Sequence, residues 1–345
     1  MKRVSQSPTG TEFVQNPYSF YERARASGPI VFWEEYDLPV ATTMDAVMAL
    51  LKDRRFGREI PPENGQKPPV HLADFYAVEA HSMLELEPPR HTRLRSLVLR
   101  AFTSRRINAL APEIETLCQE LIDTFPDAPF DLLQTYAQRV PIIVITRLLG
   151  VPEAMGDHLL QWSHAMVGMY QAGRTREDEA GASTAARAFA DFMRSYVDQR
   201  RDTPSDDLIT ELIAAEEAGE KLSTDELITT CILLLNAGHE ATVHAIGNAM
   251  KLMLEHGVRD VDDRLIEETL RFDPPLHLFT RYAYEGVELF GHEFQRGNEV
   301  GCLLACANRD PEFATDPDCF DATRPVRQNA SFGAGIHFCV GAPLA

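Results

Sequence analysis

The chain has 345 residues, 44% of them hydrophobic and 25% charged, with a formal net charge of −19. That length can bury a substantial core in one large or two ordinary domains, and the acidic balance argues against nucleic acid as a partner, because nothing would offset phosphate repulsion. The longest apolar runs, Val140 to Ile145 and Ile232 to Leu235, fall far short of the roughly 20 residues of a membrane span.

Met1-Lys2-Arg3-Val4-Ser5-Gln6 opens the chain without the apolar stretch of a signal peptide or anchor. Strand-like runs follow at Ile30 to Trp33 and Val40 to Thr42, and a proline and glycine cluster at 61–69 reads as a loop. Arg90, Arg93, Arg95, Arg100, Arg105 and Arg106 then make a basic stretch on an acidic body. Helical patterns dominate from about 90 to 272: Ile114, Leu117, Leu121 and Ile122 recur at helical spacing, as do Leu208, Leu212 and Ile213. Further strand-like runs fall at Arg281 to Leu289 and Glu299 to Cys306, and the prolines of 311–325 read as a second loop region. The six cysteines show no framework spacing, so a soluble protein of a reducing cytoplasm is expected. No repeat or interdomain linker stands out. A helical body with β structure at both ends of the sequence fits one α+β domain better than two.

Three segments carry chemistry. Ser223-Thr224-Asp225-Glu226 is a capping box, and the helix it opens should run to about Glu255. Near its middle lies Asn236-Ala237-Gly238-His239-Glu240-Ala241-Thr242, where a glycine can bend the helix and buried polar residues need a reason. For His239 a packed, hydrogen-bonded side chain is expected. The helix Arg264 to Phe272 places Glu268 and Arg271 on one face; taken alone, they read as an exposed pair worth a few tenths of a kcal/mol. Finally, Phe332-Gly333-Ala334-Gly335-Ile336-His337-Phe338-Cys339-Val340-Gly341 is a glycine-rich loop around one cysteine. Only a thiolate binds iron, and tight glycine turns expose backbone N–H groups that can neutralise an anionic sulfur. A single cysteine so placed suits haem iron.

In this order, the three segments resemble the cytochrome P-450 family of haem-thiolate enzymes. The resemblance runs from about Asn16 to Ala345, and the loop matches the family pattern F-G-x-G-x-H-x-C-x-G at every specified position. Glu87-Pro88-Pro89-Arg90-His91-Thr92-Arg93-Leu94-Arg95 and Ala307-Asn308-Arg309-Asp310-Pro311 are similar to the bacterial soluble branch. The resemblance implies a mostly α fold with a small β region (α+β), a single domain over 1–345 and a long central oxygen-activating helix. It implies haem b, with Cys339 as the iron ligand and His91, Arg95, Arg281 and His337 facing the propionates, where two carboxylates need cationic partners. Ala237, Phe332 and Gly341 join the cofactor-binding positions, and Glu240 and Thr242 are the catalytic candidates.

The implied activity is insertion of one oxygen atom from dioxygen into a small, mostly apolar organic substrate. Electrons would come from NAD(P)H through a ferredoxin or similar protein drawn to the basic stretch. No nucleic acid and no membrane is implied. Candidate pocket segments are Leu72 to Ala80, Met166 to Tyr170, Leu235 to Thr242 and Leu276 to Phe279.

The chain departs from the family pattern in four places. Ala241 stands where a threonine usually follows the acid, and Thr242 comes one residue late, about 100° further round the helix. A peroxide-using or otherwise atypical haem-thiolate enzyme is therefore an alternative. The resemblance makes Glu268 and Arg271 a structural core pair, but Cys319 stands where a second arginine usually joins it, with Arg324 nearby as a substitute. The connection between Glu255 and Glu267 is short enough to lack one small helix. The sequence stops at Ala345, before the family's helix under the haem and its β hairpin, so a C-terminally incomplete and inactive copy is the third expectation.

Overall fold

A computed structural model of the protein describes residues 1–65, 67–101, 104–217 and 222–345. The side chains of Arg105 and Arg106, the end of the basic stretch, lie outside the described residues. In chain order the elements begin with β1 (Arg3–Val4), α1 (Thr11–Gln15), α2 (Tyr18–Ser27), β2 (Ile30–Trp33), β3 (Leu38–Ala41), α3 (Met44–Lys52) and β4 (Phe56–Gly57). The helices α4 (Ala73–Glu79), α5 (Arg90–Ala101), α6 (Ser104–Asp123), α7 (Arg139–Leu149), α8 (Gly156–Val167), α9 (Arg176–Asp202) and α10 (Leu208–Glu217) follow. The last stretch holds α11 (Thr224–His256), α12 (Asp263–Phe272), β5 (Leu278–Ala283), β6 (Val287–Leu289), β7 (His292–Phe294), β8 (Glu299–Leu303) and α13 (Leu304–Asn308). The result is the expected mostly helical chain with a small β region. Backbone contacts group it into two compact units, Met1–Gly65 with Ala245–Cys339, and Gln66–His244 with Val340–Ala345.

The first unit carries a sheet of order β1-β2-β3-β8-β5-β4 and a separate β6–β7 hairpin. β8 is its centre, parallel to β3 (Val40 opposite Gly301) and antiparallel to β5 (Arg281 opposite Val300). Gly301 explains why a glycine is tolerated in that strand: a Cβ there would come within 2.9 Å of both Leu278 Cδ1 and Val40 Cγ1. The β5 and β8 regions differ from the sequence expectation. The expected strand Arg281 to Leu289 is two strands broken by a turn at 284–286, and Glu299 to Cys306 is strand only to Leu303 before α13 begins. Leu304, Ala305, Cys306 and Ala307 are all fully buried, and a short run buried on every side has no periodicity to separate helix from strand.

The second unit is a helical core in which Leu94, Val98, Leu149, Phe189, Met193, Leu208, Ile209, Leu227 and Leu235 are almost wholly removed from solvent. Its entry into α11 is the predicted capping box. The Glu226 N–H donates to Ser223 Oγ at 3.2 Å, and the Ser223 N–H donates to the Glu226 carboxylate at 3.0 Å. Arg93 on α5 adds a bidentate pair to the same carboxylate, at 2.5 and 3.1 Å. Helix α11 then runs unbroken through Gly238, so the glycine does not interrupt it. Between His256 and Asp263 no helix intervenes, as the short connection predicted. Beyond α13 the described residues form turns and one short 3-10 segment, Gly335–His337.

Candidate active site

In the first unit, the cysteine loop closes on itself. The Cys339 N–H donates to Phe332 O at 3.0 Å, Gly333 N–H to Ala330 O at 2.8 Å, and Phe338 N–H to Gly335 O at 3.2 Å. The amide of Cys339 is thus engaged by the loop closure. Gly335 lies at φ +71°, where an added Cβ would stand 2.3 Å from Leu51 O on α3, so both conformation and space demand glycine. Gly333 packs its face on Phe279 of β5, whose Cε2 would meet a Cβ at 3.4 Å. Two residues along the same strand, Arg281 is 98% buried, with its guanidinium donating to Thr280 O at 2.8 Å. Phe332, His337 and Cys339 are half-buried.

The other cysteines separate from Cys339 by environment. Cys231, Cys302 and Cys306 are completely buried, and burial pushes their thiols up to about 12, 11 and 12, so each is a neutral packing group. Cys319 is exposed and Cys118 half-buried on α6. Only Cys339 combines a partly open sulfur with a glycine-built loop.

In the second unit, α5 carries His91, which is buried, and Arg95, half-buried; four apart on a helix, they share a face as predicted. On α11, Ala237 is exposed although Leu234, Leu235 and His239 around it are buried. Ala237 and Ala241 are also four apart, so the helix offers two small side chains along one face. Thr242 does not use its hydroxyl on that face: Oγ1 donates to the Gly238 carbonyl at 3.1 Å, one turn back. Glu240 turns toward α8, where its Oε1 lies 3.0 Å from His164 Nε2. Burial resists ionisation of Glu240, but the hydrogen bond from His164 and the neighbouring imidazole of His239 hold its carboxyl far below the usual carboxylate range. The same bond raises His164. His239 is packed, as expected, but not hydrogen-bonded: both ring nitrogens are buried without a hydrogen-bond partner, and Nδ1 stands 3.8 Å from Glu240 Oε1. His164 gave no signal in the sequence, because its meeting with α11 is purely tertiary. Gly341, beside Val340 and Leu344, belongs to this unit, and those two apolar side chains pack on its core.

The Glu268–Arg271 pair is a buried core pair, as the resemblance implies, and not the exposed pair its spacing alone suggests. Arg271 donates through Nε and Nη2 to the two carboxylate oxygens at 2.7 and 2.8 Å, and Nη1 reaches Asn308 O at 3.1 Å and Pro317 O at 2.8 Å. Arg324 supplies the second guanidinium, 3.0 Å from Glu268 Oε2. Cys319 contributes its backbone instead of a side-chain charge, its carbonyl accepting from Arg271 at 3.4 Å and Arg324 at 3.1 Å.

A buried E-x-x-R pair, a long capped helix bearing A-G-H-E, and a glycine-built loop presenting one thiol together define a haem-thiolate protein. The chain belongs to the cytochrome P450 family: the family's profile matches residues 12–258 and 260–345. Its relatives include cytochrome P450 monooxygenase PikC of Streptomyces venezuelae, 36% identical over 97% of this chain and 82% of PikC. The polyketide biosynthesis cytochrome P450 PksS of Bacillus subtilis is 35% identical over 100% of this chain and 88% of PksS. Among solved structures, P450BioI in complex with hexadec-9Z-enoic acid ligated acyl carrier protein superimposes with a TM-score of 0.90 at 32% identity, over 97% of this chain and 89% of that one. The chain is therefore a cytochrome P450 monooxygenase by family, with haem b as its cofactor, and its mostly helical fold is the family's. No helix among the described residues is long and apolar enough to cross a membrane.

Proposed function

We propose that this enzyme inserts one oxygen atom from dioxygen into a small, mostly apolar organic molecule, drawing electrons from NAD(P)H through a ferredoxin-type partner. The carrying observation is the loop around Cys339: a single partly open sulfur among glycines, in a chain whose wholly buried cysteines are held neutral. Haem b held there supplies dioxygen activation at its iron, and a thiolate ligand favours O–O cleavage.

In this reading Arg281, His337, His91 and Arg95 supply cationic hydrogen-bond donors for the two propionates. Ala237 leaves room for a flat cofactor on an open helix face, and Phe332 and Gly341 bracket the ligand loop. Glu240 hands protons inward through water. Ala241 offers no hydroxyl, and that of Thr242 is engaged by Gly238 O. The alcohol that steadies dioxygen then comes from the substrate or an ordered water. The names of PksS and of the acyl carrier protein complex of P450BioI support a polyketide or fatty-acyl substrate. Arg90 and Arg100 are exposed cations of α5 suited to an acidic redox protein.

The arrangement at Ala241 and Thr242 also favours a second reading, peroxide-driven chemistry. Turnover of a fatty acid or macrolide panel with NADPH and surrogate redox proteins, against turnover with hydrogen peroxide alone, separates the two. The first reading expects product in the reductase system and more product per NADPH in Ala241→Thr. Product from peroxide alone would replace it with the second. A reduced, carbon monoxide-treated sample without a thiolate-type Soret band would overturn both.

A further inference from the structure

We propose that His164, His239 and Glu240 form a three-ligand binding site for a divalent transition cation of the zinc class. Their ligand atoms already converge. Glu240 Oε1 lies 3.0 Å from His164 Nε2 and 3.8 Å from His239 Nδ1, Glu240 Oε2 lies 3.7 Å from His244 Nε2, and the atoms of the first three all fall within 4.8 Å of one another. Tetrahedral ligands at about 2.0–2.1 Å from zinc stand roughly 3.3–3.5 Å apart, so shifts of under about 1 Å in each side chain bring these three ligand atoms to that spacing.

His239 points independently to a missing ligand. Its side chain is 99% buried, and neither nitrogen has a hydrogen-bond partner. A buried imidazole in that state is unfavourable, and a cation on Nδ1 would give that nitrogen a partner. The donor set also suits the cation. Two imidazoles with one carboxylate favour zinc, copper or nickel over magnesium or calcium, which prefer oxygen alone. An entry path exists from the solvent side, where His164 and His244 keep 43% and 57% of their side-chain surface exposed. The site does not depend on whether Glu240 also relays protons, since its readout is binding.

Calorimetric titration of the tag-free, haem-loaded protein with zinc chloride in a non-coordinating buffer tests this. One saturable site per chain is expected, weakened at least tenfold in His164→Ala and in His239→Phe, and absent with magnesium chloride. His164→Ala removes a half-exposed side chain, so an unchanged Soret band and circular dichroism certify its fold. The proposal is overturned by no saturable site, by an unchanged affinity in folded His164→Ala, or by equal binding of magnesium.

Discussion

Replacing Glu268 by glutamine keeps the shape of a buried side chain and removes the one negative charge facing two guanidiniums. The carboxylate accepts from Arg271 twice, from the Asp321 N–H at 3.0 Å, and faces Arg324 Nε at 3.0 Å, while only 1% of its side-chain surface is exposed. Glutamine offers one acceptor oxygen, so its amide must point an N–H at another donor. Hydrogen bonds to charged groups are worth about 1.5–3 kcal/mol each, and removing one member of a buried pair costs about 3–5 kcal/mol. Glu268→Gln should therefore cost about 3–5 kcal/mol, a large part of the roughly 5–15 kcal/mol that holds a folded domain. Arg324→Gln should cost less, because its side chain is 18% exposed and water can reach the Thr315, Asp316 and Cys319 carbonyls it leaves. Urea unfolding followed by far-ultraviolet circular dichroism measures both, and the double variant should lose less than the sum, since the two changes share one contact. A loss under about 1 kcal/mol for Glu268→Gln, or a larger loss for Arg324→Gln, would refute the view that this carboxylate is the electrostatic centre of the cluster.

Cys339→Ser should abolish the thiolate-type Soret band of the reduced, carbon monoxide-treated protein, whereas Cys231→Ala, which removes a buried neutral thiol, should leave its position unchanged. Gly335→Ala places a Cβ 2.3 Å from Leu51 O at a positive φ; a destabilisation of about 1–3 kcal/mol and faster haem loss to an apo-globin scavenger are expected, and wild-type retention would contradict the packing argument. His277, half-buried and in contact with the Tyr21 hydroxyl at 3.0 Å, has its imidazole pushed below the ordinary range by desolvation, with Asp273 opposing that and Arg309 adding to it. Because the unfolded chain then takes up the proton first, its contribution is complete above the ordinary imidazole pKa of about 6.5 and is lost as pH falls through it. The urea midpoint of the wild type should drop between neutral and mildly acidic pH, and His277→Gln should flatten that slope.

Features encoded within a few residues were legible in the sequence. The Ser223–Glu226 box, the extent of α11, the shared face of His91 and Arg95, and the turn-forming glycines around Cys339 all depend on local backbone chemistry, and each is found where expected. The short connection after His256 was legible because chain length alone limits it. Outcomes that depend on distant segments were not. Taken alone, Glu268 and Arg271 look like a surface pair; the family resemblance, not their spacing, pointed to a core pair with Arg324 nearby, and the 308–324 segment folds over them to make it so. The residues Leu304 to Cys306 read as the end of a strand because full burial on all sides erases the polar alternation that would betray a helix.

The sequence by itself determined the family, the glycine-built loop around Cys339 and the long helix, since each is written in adjacent residues whose geometry is local. Tertiary structure alone decided what surrounds the polar stretch of α11. It set His164 against Glu240, left both nitrogens of buried His239 without partners, and turned the Thr242 hydroxyl back onto Gly238 O. Those outcomes follow from which helix faces pack together, and burial there gives each charge and hydrogen bond an energy that no residue spacing records.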